Sequence, residues 1–330
     1  MIKRNKKFVL VLVSLMVMSL WLAACGSNKT NEAGNNVATN AATNAPAATE
    51  APTERTLTDA LGNEVTVPAN PQRIIASYLE DHLVALGIKP VAQWSVPNGT
   101  QDYLKDSLAD VPTIAYDLPF EAVTSFEPDL ILMAYDSNVE GDKFAQYSKI
   151  APTFTVGDKL TADWRAALLK IGEVVGKSEE AQKVLDAYDV KAKEAKEKIQ
   201  GAAAGESAAA LWFVQGSFYI VSEKLSSGDL LYNQLGLAVP EVVKEISAAG
   251  TGNWNAIPLE KLAELDADHL FLINSGTEAD SKALSDPIWQ NIPAVKNGKL
   301  YEYPSTSSWL YAGTIAYSQV IDDVLESIVK

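Results

Sequence analysis

The sequence predicts an α/β protein built as two Rossmann-like lobes, each a mostly parallel sheet wrapped by helices, joined by a single long α-helix. Three observations carry this reading. Apolar runs of strand length alternate with helix-like segments from residue 55 to residue 160; residues 161–200 contain no proline and only Gly172 and Gly176; and the alternation resumes beyond Ser207. Strands alternating with helices at such spacing imply parallel pairing through helical crossovers, with helices on both faces of the sheet.

The first lobe, 55–177, opens with RTLTDALGNEVTVP, two alternating runs around Leu61-Gly62-Asn63, which predicts a hairpin. Pro71-Gln72-Arg73 then leads into the strand Ile74-Ile75-Ala76, and YLEDHLVALG reads as a helix closed by Gly87, with Pro90 beyond it. Strand 91–94, strand 114–116, the helix EAVTSF and the apolar run 130–135 complete the alternation. Two helices follow. The second, 178–201, starts at Ser-Glu-Glu and is rich in Ala, Lys and Glu, so it should be long and largely solvated. At ~1.5 Å per residue it is long enough to cross between lobes. In the second lobe, 202–330, ELDADHLFLINSGTEADSKALSDPIW repeats the order of elements found in SFEPDLILMAYDSNVEGDKFAQYSKI, and LYNQLGLAVPEV parallels LVALGIKPVAQ. Short matches in the same order favour two similar lobes.

Ahead of the lobes lies an export signal. Lys3, Arg4, Lys6 and Lys7 precede an apolar stretch from Phe8 to Leu22, too short for a permanent membrane span, which needs roughly 20 apolar residues. Leu22-Ala23-Ala24-Cys25-Gly26 has the form of a lipobox, and Cys25 is the sole cysteine. Residues 1–24 are therefore expected to be removed and Cys25 to be lipidated, which holds the protein on the extracytoplasmic face of the cell membrane. Residues 25–54, poor in anything that could form a core, read as a flexible tether. The signal carries four basic residues and no acid, so its removal takes the formal charge from −15 to −19. Nucleic acid is a poor partner for such a chain.

In order along the chain, ALGNEVTVPANPQRIIA, LVALGIKPVA, FEPDLIL, LEKLAELDADHLFL and DPIWQNIPAVKNGKLYEY resemble the helical-backbone substrate-binding lipoproteins of siderophore and cobalamin importers. The resemblance runs from about Thr56 to Lys330 and implies a shallow ligand cleft between the lobes with little hinge closure. It implies a ferric siderophore, cobalamin or haem as ligand, and docking on an ABC-type permease served by a separate ATPase. It also implies an acidic docking residue on each lobe, and Gram-positive lipoprotein anchoring. The protein is expected to be a monomer and not an enzyme, with no cofactor of its own; the ligand would be an iron(III)–siderophore complex.

Ligands of α/β sheets sit beyond the carboxyl ends of the strands. That rule selects Tyr78, Trp94, Tyr116 and Tyr135 in the first lobe and Phe213, Tyr219, Trp254 and Asn274 in the second. Trp309 and Tyr311 precede the last helix, where the resembling siderophore binders often place a ligand-contacting Trp. Any of these aromatics could instead be core. Arg165, beside Trp164, either reaches the cleft or is a solvated helix-start residue. Beyond the signal only Arg55, Arg73 and Arg165 remain as arginines, which disfavours anionic catecholate or citrate chelates and favours a neutral or cationic hydroxamate. Glu140 and Asp280, with Glu278 as alternate, occupy corresponding loops and are the permease-docking candidates.

Other chemistries lack their residues. Only His82 and His269 could serve an imidazole metal site, and each reads as structural. The motifs Gly-x-Ser-x-Gly, His-Glu-x-x-His and Gly-x-x-x-x-Gly-Lys-Ser/Thr do not occur, which leaves an exported hydrolase with an unrecognised site as the alternative of another class. A haem or cobalamin receptor is the alternative of the same class; haem usually wants an axial His or Tyr.

Overall fold

Asp59 explains why the lobe begins with a hairpin: its Oδ1 accepts the backbone N–H groups of Leu61 and Asn63, which closes the turn between β1 (Arg55–Thr58) and β2 (Glu64–Val67). The computed structural model describes residues 53–329 apart from residues 98, 251 and 278–281. The expectations for the signal 1–24, for Cys25, for the tether as far as residue 52, and for Glu278 and Asp280 lie outside the described residues.

In the N-terminal lobe β3 (Ile74–Ser77), β6 (Leu130–Met133) and β7 (Thr153–Thr155) form one parallel sheet, and β4 (Gln93–Ser95) pairs in parallel with β5 (Thr113–Ala115). A bridge between Ile75 and Ala92 continues the one into the other. The four residues of β3 and of β6 are buried on both faces, as a parallel strand covered by helices requires. Ile74, Ala76, Leu130 and Leu132 point into one core; Ile75, Ile131 and Met133 point into another with Ile114, Val123 and Val139.

The backbone helix, Ser178–Ala202, buries Ala181, Leu185, Tyr188, Ala192, Ala195 and Ile199. Steps of four and three residues make one narrow seam, and the other faces stay solvated. Over 25 residues it spans ~37 Å. The preceding helix, Trp164–Val174, packs on it; Gly172 lacks the Cβ that would press on Ala181, and Gly176 takes φ +76° in the turn between them. The C-terminal helix, Thr314–Ile328, lies on the backbone helix as well, with Lys191 paired to Asp322 at 2.7 Å.

The C-terminal lobe carries one five-stranded sheet in the order β10 (Trp254–Ile257), β9 (Ser217–Val221), β8 (Ala208–Val214), β11 (His269–Asn274), β12 (Leu300–Pro304). Its β8, β11 and β12 run parallel, whereas β9 and β10 are antiparallel additions. The cause is local. Gln215 and Gly216 both adopt positive φ, 50° and 77°, the backbone of a two-residue hairpin turn that matches strand twist. The sheet is therefore more mixed than the predicted mostly parallel one.

Candidate ligand cleft

The carboxyl ends of β3, β6 and β7 open onto a cleft of about 460 Å³ that the C-terminal lobe closes from the other side. Tyr78 and Tyr135 come from the N-terminal lobe, followed by the segment Asp158 to Arg165. Opposite stand Lys224, Leu225, Ser226 and Asp229, with Asn253, Leu310 and Ala312. Volume and mixed lining fall in the ordinary range of small-molecule sites, ~300–1,000 Å³.

Tyr78 is held in the left-handed region at φ 61°, and Ser226, on the other lobe, at 52°. A non-glycine residue pays roughly 1–3 kcal/mol for such a backbone, so the surrounding packing must enforce it. For Tyr78 that packing is aromatic: Trp94 meets it edge-on at 4.9 Å, and Tyr135 and Tyr311 lie 6.3 and 6.2 Å away. Tyr311 belongs to the C-terminal lobe and continues the cluster to Tyr103 at 4.9 Å. Burial pushes the Tyr78 phenol up, with further upward contributions from Tyr135, Tyr311 and Glu80, so it stays protonated and able to donate a hydrogen bond.

Directly behind Tyr78, the first helix (Glu80–Ala85) buries three ionisable groups in succession. Glu80 is 1% exposed and accepts the Trp94 N–H at 2.6 Å through Oε1, while its Oε2 has no partner; burial pushes its carboxyl to about 8. Asp81 accepts the N–H groups of Ile315 and Ala316 and the Tyr103 hydroxyl, so an N-lobe carboxylate caps the first turn of the C-terminal helix. His82 lines the cleft, and its burial lowers the imidazole to about 4, which leaves it neutral.

Arg165 lies over Trp164 at 4.5 Å and Tyr188 at 5.0 Å, donates to Asp189 at 2.8 Å and to Gln234 at 3.2 Å, and so ties the N-terminal lobe, the backbone helix and the C-terminal lobe together. It lines the cleft as a half-buried brace, not as a solvated helix-start residue. The other two arginines are structural. Arg55 donates to the Val174 carbonyl, and Arg73 to the carbonyls of Glu127 and Phe126.

Of the residues the strand-end rule selects, Tyr78 and Tyr135 line the cleft, and Trp94 and Tyr311 support Tyr78 from behind. Tyr219 and Trp254 share a face of the β8–β10 sheet with Trp212, which the rule missed; Trp212 is 5.6 Å from Tyr219 and 6.4 Å from Trp254. This patch adjoins the cleft through Asn253. Phe213 does not reach it. Side chains alternate along a strand, so Trp212 faces the patch while Phe213, fully buried, packs at a tilt against Phe218 with ring centres 4.2 Å apart. Trp309 is likewise core: the tight turn Ser308–Leu310 aims it inward, where its Nε1–H donates to Asp323 at 2.8 Å and its ring stacks on Phe271, and its neighbours Leu310 and Ala312 line the cleft instead. Tyr116 is 53% exposed and outside the lining, and Asn274 is occupied with Glu302 and the Gly276 N–H. Glu140 is exposed at the end of the turn Asp136–Val139. His269, at the opposite end of its strand, bonds Glu206 and Tyr301.

The comparisons with known proteins agree with this architecture. An iron(3+)-hydroxamate-binding protein of Bacillus subtilis, YxeB, is 25% identical over 334 residues, which cover 98% of each chain. Among solved structures, the periplasmic binding protein component of a Fep/Fec-like ferrichrome ABC transporter from Bacillus subtilis superposes with a TM-score of 0.71 at 24% identity, covering 83% of this chain and all of that one. Staphylococcus aureus SirA, solved with staphyloferrin B, gives 0.68 at 25% identity, covering 83% of this chain and 98% of its own. The family described as periplasmic binding protein matches residues 77–306, from the residue before Tyr78 to the loop beyond β12. With that match spanning both walls of the cleft and the helix between them, the chain belongs to the periplasmic binding protein family.

Proposed function

We propose that this protein is an extracytoplasmic receptor that captures a ferric siderophore of hydroxamate type in the interlobe cleft and delivers it to the permease of an ABC-type importer for iron uptake. The observation that carries the reading is the make-up of the cleft. It offers tyrosine and tryptophan walls, hydrogen-bonding groups and, among the described residues, two cations, Arg165 and Lys224, the first of which is already paired with Asp189. A chelate whose iron is wrapped in its own oxygens needs walls and donors of this kind. A trianionic catecholate or a citrate complex would need more positive charge than two side chains supply. The printed name of one relative, an iron(3+)-hydroxamate-binding protein, points to the same ligand class, and a solved structure holding staphyloferrin B points to siderophores in general. In this reading Cys25 bears the lipid and the tether keeps the receptor beside its permease, so each recapture is nearly intramolecular.

Titration of tryptophan fluorescence with ferric hydroxamate, ferric catecholate, ferric citrate, haem and cobalamin tests the proposal. Trp164 in the cleft wall and Trp94 against Tyr78 should report occupancy. Quenching by the hydroxamate at the lowest concentration is the expected result. A first response to haem or cobalamin would replace the siderophore with that ligand, and silence toward all five would end the receptor reading.

A further inference from the structure

The carboxylates and cations of the cleft are not evenly matched. Asp158, Asp163 and Asp229 line it against Arg165 and Lys224. Asp163 is spent on the N–H groups of Arg165 and Ala166, at the start of its helix. The Arg165 guanidinium turns to Asp189, which is not part of the lining. Asp158 accepts the Asp136 N–H, and Asp229 accepts the side-chain amides of Asn233 and Gln234, and neither has an ion-pair partner among the described residues. Asp158 belongs to the N-terminal lobe and Asp229 to the C-terminal lobe, which places one uncompensated carboxylate on each wall. Lys224 is the remaining cation, exposed at the rim.

A second observation points to a polar ligand at the same place. His82 lines the cleft, is only 5% exposed, and its Nδ1 has no hydrogen-bond partner. A buried polar atom without a partner, on a side chain that lines a cleft, is a hydrogen-bonding capacity still to be satisfied. Being neutral, the imidazole adds no positive charge to the floor.

We infer that the cleft reads the charge of its cargo: the preferred ligand is a ferric hydroxamate chelate carrying a free ammonium group, which Asp158 and Asp229 attract from the two walls while His82 supplies a hydrogen bond. This inference rests on the siderophore reading above. Tyr135 stands beside Asp158: burial holds its phenol above the ordinary range, and the carboxylate adds to that.

The test is a matched pair of ligands: a linear ferric tris-hydroxamate with a terminal primary amine, and the same chelate with that amine acetylated, titrated by tryptophan fluorescence. Two carboxylates acting across a partly hydrated cleft should favour the amine about tenfold at low ionic strength, and the preference should shrink at ~0.5 M salt. Asp158→Asn combined with Asp229→Asn should bring the two affinities to within about twofold of each other, and Lys224→Gln should widen the preference by roughly threefold. Equal affinities in the unaltered protein, or a preference for the acetylated chelate, overturns charge reading and leaves the siderophore assignment standing. A full preference surviving in the double variant removes the role of these two carboxylates. Failure of both chelates to bind overturns the hydroxamate reading together with this one.

Discussion

Glu80 offers a way to measure how strongly the fold presses on the residues behind the cleft. Its carboxyl sits at about 8 in the folded protein against an ordinary 4.5, because burial penalises the anion and backbone N–H groups, that of Trp94 foremost, only partly offset that penalty. A raised folded pKa contributes stability that is fully present below pH 4.5 and is lost as pH rises through 8, since the folded state holds its proton more tightly than the unfolded state. Glu80→Gln keeps the shape and an acceptor for the Trp94 N–H and cannot ionise. Integrated over the window, the variant should be no more stable than the parent near pH 4.5, slightly favoured at pH 5, and favoured by roughly 3 kcal/mol at pH 7, an order-of-magnitude figure. At about 2–4 °C per kcal/mol for a protein of this size, the melting-temperature gap between variant and parent should widen by about 5–10 °C from pH 5 to pH 7. Thermal melts followed by circular dichroism at half-unit pH steps supply the data. A gap that stays constant with pH would show that Glu80 titrates normally and that the buried floor is more hydrated than its 1% exposure implies.

Other residues give independent tests. Asp81→Ala would strand the N–H groups of Ile315 and Ala316 and the Tyr103 hydroxyl, all drawn from the lobe contact, and should lower stability by about 3 kcal/mol in the same melts. Tyr78→Ala should weaken the ligand by about tenfold or more in the fluorescence titration, through loss of a ring and a hydroxyl from the wall. Glu140→Arg together with Asp280→Arg should leave ligand affinity in place and abolish uptake of radioactive iron by cells; unchanged uptake would remove the docking assignment. Cys25→Ser should release the protein into the medium and end labelling by radioactive palmitate, and retention on the membrane would refute lipid anchoring.

Much of the architecture was legible because its determinants are local. Leu61-Gly62-Asn63 marks a turn, the run 130–135 reads as a buried strand, and the Ala-, Lys- and Glu-rich stretch without proline forms the backbone helix Ser178–Ala202. The strand-end rule likewise found Tyr78 and Tyr135, because β3 and β6 are parallel and their ends must face one way. It failed where the outcome depends on phase or on a turn. One residue of alternation separates Trp212 on the aromatic patch from Phe213 in the core, and a single tight turn decides that Trp309 points inward. Lys224 to Asp229 escaped for a different reason: β9 runs antiparallel, so residues beyond it were not where a parallel sheet would place them. The positive φ pair at Gln215-Gly216 was the available signal, a glycine-containing turn between two apolar runs. The pairing of Arg165 was out of reach, since Asp189 and Gln234 are brought to it only by tertiary packing.

One continuous apolar cluster runs from Ile74, Leu130 and Phe154 through Trp164, Leu168 and the seam of the backbone helix to Ala210, Leu211 and Leu270. Large side chains bury roughly 2–3 kcal/mol each along this path, and no break separates those of one lobe from those of the other. The two lobes are thus a division of shape and not of cooperativity. Heat or denaturant should melt them in a single transition, a cut or insertion in one should loosen the other, and any ligand lodged between them stabilises the whole chain at once, by RT ln(1 + [L]/Kd). Calorimetry on this receptor is therefore an occupancy gauge for a cleft that touches only a small part of its residues.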